Sequence, residues 1–284
     1  MNLPPEPAPA LIHSLLQQML AEDLGSAGDV TTDAIAEPGA TALARVLFRR
    51  AGRVAGLGAA LETFRLLDPA TRVERLVPEG EDVPAATTVA VLRGPARAIL
   101  SGERAALNLL GLLSGVATAT GSFVRAVAGS KARIAATRKT TPGLRVLEKY
   151  AVGVGGGLSH RFGLYDGILI KDNHIALAGG VGPAVARVRD RTGRTARIQV
   201  EVDTLDQLAE VVELGVHAVL LDNMDVATLR RAVALIDGRM LTEASGGVTL
   251  ETAPAIAATG VDLISVGWIT HSAPWHDATL EVVA

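Results

Sequence analysis

The 284-residue chain predicts an α/β protein: an incomplete (β/α) barrel of parallel strands joined to a smaller N-terminal α+β domain. Three observations predict it. From about residue 130 onward one plan repeats: a short β-branched run, polar residues where it ends, then a helix. That alternation calls for right-handed βαβ crossovers and a parallel sheet. All six strand ends are polar, glycine-rich or both, as expected of a barrel whose site is assembled at the C-terminal ends of its strands. A doubly wound open sheet would bind only at its switch point and would not need six such ends. The repeating part, roughly 150 residues, is short for eight units, so the barrel is expected to be incomplete.

The elements follow in order. After a Pro-rich leader, Leu11 to Leu24 has helical apolar spacing and stops at Gly25, a C-cap residue type. Gly28 to Asp33 is a polar loop whose carboxylates cap local backbone. Residues 42–48, 73–76 and 88–92 read as strands around a helix near 59–67, with a turn at Gly80–Pro84. Residues 96–128 form an apolar helix, expected to break near Gly111–Gly115 and to be buried on several sides. The barrel strands are then 133–136, 167–170, 197–202, 217–221, 240–243 and 262–266, with helices at 182–191, 205–214, 226–236 and 250–258. The expected domains are 1–108, completed by 273–284, and 109–272.

Composition removes several function classes. A formal charge of −3 gives no global basic field, so nucleic acid is not an expected partner. The chain has no cysteine, which excludes disulfides, thiolate metal sites and a thiol nucleophile. The N-terminus lacks the basic start and cleavage site of a secretory signal, and the most apolar segment, Ala105–Thr120, is interrupted by Asn108, Ser114 and Thr118. No membrane and a cytoplasmic location are the expectation.

Of the 27 basic residues only four are lysines, Lys131, Lys139, Lys149 and Lys171, all in one neighbourhood. An ammonium is a compact charge with an adjustable pKa, whereas a guanidinium is a fixed planar fork. The strand ends collect Thr137, Arg138, Lys139, Lys171, Glu201, Asp203, Asp222, Glu243, Ser245–Gly247 and Ser265–Gly267, with Arg161 just upstream of Lys171. Such a concentration of cations implies an anionic substrate. The carboxylates in the same mouth imply Mg²⁺ or sugar hydroxyls, and the two glycine-rich late turns imply a phosphate on backbone N–H groups. Strand alternation puts Glu201 and Asp203 on one face; Glu201, within the run, is the choice for the site. His160 beside Arg161 suits anion contact or proton transfer, while neither it nor His174 has zinc-ligand spacing. Lys131 reads as scaffold, Glu148 and Lys149 as a solvated helix face, Gly153–Gly157 as a tight turn, and His13, His217 and His276 as structural or surface residues. Arg104 and Glu103 read as a helix-terminus pair of little energetic worth.

The stretch TRKTTPGLRVLEKYAVGVGGGLSHRFGLYDGILIKDNHI, with EVDTL, LLDNM, EASGG and ISVGWITHSA, closely resembles the quinolinate phosphoribosyltransferase family. These are the decarboxylating nicotinate-nucleotide pyrophosphorylases of NAD synthesis. The likeness begins at EDLGSAGDVTTDAI and covers nearly the whole chain. It implies transfer of 5-phosphoribose from 5-phosphoribosyl 1-pyrophosphate to quinolinate, with loss of pyrophosphate and CO₂ and with Mg²⁺ as cofactor. By the family pattern, Arg138, Lys139, His160, Arg161 and Lys171 surround the dicarboxylate and phosphates, in the pocket that Thr137 helps to form. Glu201 and Asp222 hold ribose hydroxyls and Mg²⁺, directly or through water. Lys139, Lys171, Glu201 and Asp222 would carry the catalysis. Ser245, Gly246 and Gly247 with Ser265, Val266 and Gly267 take the 5-phosphate. Arg104 enters from a neighbouring subunit, which makes a homodimer the minimum active unit. Two positions depart from the pattern: Ser159 stands where the family has Asn, and Trp268 stands at a place usually small and is expected to pack behind the phosphate end. Three other readings compete: a molybdenum-transport-associated pyrophosphorylase-like relative, which Lys171-Asp172-Asn173-His174 opposes; a Schiff-base aldolase using Lys171, which the arginine excess opposes; and a non-catalytic anion-binding module.

Overall fold

The computed structural model describes residues 3–192 and 196–283; the first two residues of the leader and the final residue of the expected domain completion lie outside them. By internal contacts the chain divides into two compact units: Met1–Gly121 with Thr141–Gly156 and Thr270–Ala284, and Ser122–Thr140 with Gly157–Ile269. Sequence reasoning put the boundary at 108 and gave residues 141–156 to the barrel.

In chain order the elements begin with α1 (Pro9–Leu24), α2 (Val30–Ile35), β1 (Thr41–Phe48), β2 (Gly52–Arg53), α3 (Leu57–Leu67), β3 (Arg72–Arg75), β4 (Asp82–Val83), β5 (Thr87–Pro95) and α4 (Ala96–Ala126). The expected loop at Gly28–Asp33 turns into α2, with Asp29 as its N-cap accepting from Thr32 N at 2.9 Å. The α4 helix runs unbroken through Gly111 and Gly115, correcting the expected break. There the missing Cβ makes room for close chain approach: a Cβ on Gly111 would stand 2.8 Å from the His276 carbonyl oxygen and one on Gly115 2.3 Å from that of Pro274. By length and composition α4 could cross a membrane, but its apolar window is mostly buried within the protein, as in a core helix.

Beyond α4 come β6 (Arg133–Ala136), α5 (Arg145–Val154), β7 (Leu158–Ser159), β8 (Ile168–Ile170), α6 (Asp172–Ala178), α7 (Val181–Thr192), β9 (Ile198–Val202), α8 (Leu205–Glu213), β10 (Ala218–Asp222), α9 (Val226–Ile236), β11 (Leu241–Ser245), α10 (Ala253–Ala257), β12 (Leu263–Ser265), α11 (Trp268–His271) and β13 (Ala278–Val283).

The first unit is built on an antiparallel sheet ordered β13-β1-β5-β3. Its core gathers Phe48, Phe64, Leu92, Ile99 and Leu110, each almost fully buried. On α5, Glu148 and Lys149 are 0% and 3% exposed, so the expected solvated face is an inner one. Glu148 accepts from Thr141 N at 3.0 Å, and burial pushes its carboxyl upward.

The second unit is a seven-stranded sheet, β7-β6-β12-β11-β10-β9-β8, parallel at every ladder. The edges β7 and β8 share no ladder among the described strands, so the barrel is incomplete as expected. Their connection is pinned by polar contacts instead: Arg161 donates to the Gly167 carbonyl at 3.1 Å, and Asp166 accepts from Phe162 N and Gly163 N at 2.6 and 2.8 Å. Sequence reasoning missed β7 and α6 because both are too short to display a period. Trp268 remains 39% exposed, its ring centroid 6.2 Å from that of Phe123.

Candidate active site

Period-two alternation and ladder register decide what the barrel strands present at their C-terminal ends. Glu201 of β9 and Glu243 of β11 both pair with Leu220 of β10, and Asp222 pairs with Ser245. Counting by twos along each strand therefore puts Leu169 and Lys171, Gln199 and Glu201, Leu220 and Asp222, and Glu243 and Ser245 on one face. A cleft of about 410 Å³ opens there, lined among others by Thr137, Arg138, Lys139, His160, Arg161, Lys171, Glu201, Asp222, Ser245 and Ser265. Ten of the residues expected from sequence are thus brought together by one unit.

Local structure aims several of them. Lys171 is the N-cap of α6, and its own backbone N–H donates to His174 Nδ1 at 2.9 Å. That contact gives His174 a structural role in presenting Lys171, whose Nζ reaches Glu201 Oε2 at 2.5 Å. Thr137 Oγ1 accepts from Lys139 N at 3.1 Å and ties down the turn after β6. Strand β9 ends at Val202, leaving Asp203 exposed beyond it.

The electrostatics are those of a site short of negative charge. Four Lys and Arg side chains line the cleft with three carboxylates; one of these, Glu201, pairs with Lys171, and another, Glu243, contacts His160 at 3.2 Å. Burial and the neighbouring Arg138 charge both push Arg161 downward. The Nε of Arg138 is buried without a hydrogen-bond partner, and a buried unmet donor is costly unless a ligand meets it. Asp222 is pushed upward first by burial and then by Asp203, against the pull of Lys171 and Lys139.

The remaining expected residues behave differently. Arg104 lies on α4 in the first unit, 63% exposed at its side chain, with Glu103 3.9 Å away. Gly246 and Gly247 both have positive φ, with open space where a Cβ on Gly247 would project. A Cβ on Gly246 would strike the Asn223 side chain, so only glycine fits that turn. The Val266 N–H is already used by the Ala135 carbonyl at 2.9 Å, and the Ser265 hydroxyl donates to Glu243. Gly267 continues the turn after β12 but does not line the cleft. Sequence reasoning left out Gln199 and set Glu243 aside. The available signal was a polar residue at an inward position in the middle of IQVEV and LTEAS.

Residues 29–114 match the family model described as quinolinate phosphoribosyl transferase, N-terminal domain, and residues 116–281 match its C-terminal domain. A Bacillus subtilis protein named probable nicotinate-nucleotide pyrophosphorylase (carboxylating) is 42% identical over 95% of this chain and 93% of its own. A Methanothermobacter thermautotrophicus protein of the same name is 40% identical over 94% and 98%. The crystal structure of NadC from Streptococcus pyogenes superposes with a TM-score of 0.94 at 35% identity, covering 99% of this chain and all of that one. With both family domains matched in order and identities at this level over almost its whole length, this chain belongs to the quinolinate phosphoribosyltransferase family.

Proposed function

We propose that the barrel cleft transfers phosphoribose from 5-phosphoribosyl 1-pyrophosphate to the ring nitrogen of quinolinate, giving nicotinate mononucleotide, pyrophosphate and CO₂ in NAD synthesis. The observation that carries the reading is the buried, partnerless Nε of Arg138 among the cleft's cations: the cleft is built for a ligand with several negative charges. A pyridine dicarboxylate and a pyrophosphate both supply them, through bidentate contacts to guanidinium.

In this reading Arg138, Arg161 and His160 orient the dicarboxylate, while Lys139 and Lys171 face the leaving pyrophosphate. As the C1–oxygen bond breaks, positive charge grows on the sugar and negative charge on the leaving group. Cations placed at the latter, with the ring nitrogen held in line behind C1, stabilise the transition state more than the bound substrates. Once ribosylated, the cationic nitrogen accepts the electron pair released when the adjacent C2–carboxylate bond breaks; CO₂ departs and a proton replaces it. Ser245 to Gly247 and the turn at Ser265 to Gly267 take the 5-phosphate, chiefly through the open backbone at Gly247.

The carboxylates fit a divalent cation. Asp222 is destabilised by burial and by Asp203, so a cation there relieves a repulsion already present. Among the described residues no group of three or more His, Asp or Glu is placed to hold a metal unaided. Mg²⁺ is commonly held by one or two carboxylates together with substrate phosphates; here Glu201 and Asp222 would hold it, and it would neutralise the leaving pyrophosphate.

We further infer a homodimer in which Arg104, largely exposed in its own protomer, completes a neighbour's site, and a cytoplasmic location. Mixing Arg104→Ala with Lys139→Ala enzyme is expected to restore part of the activity through hybrid dimers; no recovery despite verified subunit exchange contradicts a shared site. The test of the substrate reading is calorimetric binding. Quinolinate is expected to bind at least about tenfold more tightly than nicotinate, and Arg161→Ala to remove that difference, about 1.4 kcal/mol. Equal affinity for the two acids in the unmodified protein contradicts it.

A further inference from the structure

Glu243 is a charged side chain in the middle of β11 with only 2% of its surface exposed, and the substrate contacts above leave it without a task. Three elements address its carboxylate. The Ser265 hydroxyl on β12 donates to Oε1. Gln199 Nε2 on β9 donates to Oε2 at 2.7 Å. His160, just past β7, has its Nε2 3.2 Å from Oε2 and 2.9 Å from Gln199 Oε1. Two acceptors converging on one ring nitrogen require a proton on Nε2. Burial pushes the Glu243 carboxyl upward, yet the hydrogen bond and charge of His160, together with the bonds from Ser265 and Gln199, outweigh it and hold the group below its ordinary range.

The surroundings make this pairing necessary. Toward the strand C-termini His160 shares the cleft with Arg138, Lys139, Arg161 and Lys171, whose fixed charges oppose a further cation. The other carboxylates there are Glu201, engaged by Lys171, and Asp222. Toward the strand N-termini a second cleft of about 500 Å³ shares His160, Arg161 and Glu243, and its further charged or titratable groups are Asp166, Arg197 and His217. Of these carboxylates, Glu243 stands at contact distance from the His160 ring, 3.2 Å from its Nε2.

We propose that Glu243, itself fixed by Gln199 and Ser265, is a positioning residue that keeps His160 doubly protonated, so that the cleft offers an imidazolium to one substrate carboxylate at neutral pH. The inference rests on reading this cleft as the dicarboxylate site. An opposite charge at hydrogen-bond distance favours the charged ring. Without it the ring loses its second proton as pH rises through the ordinary histidine range near about 6.5.

Glu243→Gln keeps the shape and an accepting oxygen but removes the charge. The KM for quinolinate is expected to stay flat between about pH 6 and 8 in the unmodified enzyme and to rise about tenfold over that interval in the variant, with kcat and the KM for phosphoribosyl pyrophosphate changing little. A second readout needs no substrate: ¹⁵N NMR of the histidine rings in the unmodified, unliganded protein, assigned with His160→Gln, should show both His160 nitrogens protonated at about pH 7.5. A neutral His160 ring at that pH overturns the proposal, as does a folded variant whose KM stays flat. If quinolinate proves not to be the substrate, the ring spectrum still decides the Glu243–His160 pairing, so the two failures are separable. If the variant does not fold, the spectrum of the unmodified protein decides it alone.

Discussion

Arg138-Lys139 and Glu148-Lys149 look alike in sequence, each a charged pair in the same basic stretch. The first follows β6 and lines an open cleft; the second is on the inner face of α5, where both side chains are almost fully buried. A strand end in a barrel points its charges at whatever enters, so their unmet capacity serves a ligand. A buried helical pair is committed to its own fold, and its side chains serve packing there rather than a ligand. Lysine scarcity marked both pairs equally, and only the element beneath each tells them apart.

Substitution should separate the two regions most sharply through lysine. Lys171→Ala and Lys139→Ala are each expected to lower turnover by more than about tenfold, roughly 1.4 kcal/mol of transition-state stabilisation, with the melting temperature nearly unchanged because both side chains border an open cleft. Lys149→Ala should do the reverse, costing about 2–4 kcal/mol of stability while molecules that remain folded keep their turnover. Calorimetric melting beside steady-state kinetics checks both, and a Lys149 variant that melts normally but is inactive would erase the distinction.

A smaller effect is expected at Asp222. Its carboxyl is raised by burial and by Asp203, and the site needs it ionised. Asp203→Asn removes the like charge, so the acidic limb of the pH–rate profile should move to lower pH; an unmoved limb means that Asp222 does not govern it.

The smallest effect belongs to Glu148. Its folded-state carboxyl is raised, so its contribution to stability is fully present below the unfolded value and is lost as pH rises through the folded one. Glu148→Gln should therefore gain stability relative to the unmodified protein as pH increases through that window. Melting curves at several pH values that run parallel would show that burial of this carboxylate does not matter.

Much of this was legible in the sequence because barrel strands announce themselves twice, by a β-branched run and by a polar end. The six longer strands, Glu201 over Asp203, and the convergence of Arg138, Lys139, Arg161 and Lys171 follow from that. The β7 edge strand of Leu158–Ser159 carries too few residues for a pattern. Glu148 and Lys149 misled because a charged pair on a helix is usually exposed, and burial against the rest of a fold is a tertiary fact. Gly111 and Gly115 read as helix breakers, although their purpose is contact with the chain at 274–276. The sequence offers Ser265 only as part of a phosphate turn; that its hydroxyl donates to the buried Glu243 is a tertiary fact.

The central claim, that one cleft joins a phosphoribosyl donor to a pyridine dicarboxylate, is tested most directly by a single assay. The protein is given Mg²⁺ and phosphoribosyl pyrophosphate with either quinolinate or nicotinate, and mononucleotide, pyrophosphate and CO₂ are measured together. Equal amounts of all three products with quinolinate, and none with nicotinate, are the expected result. Pyrophosphate release without CO₂, or turnover of nicotinate at a comparable rate, would contradict it.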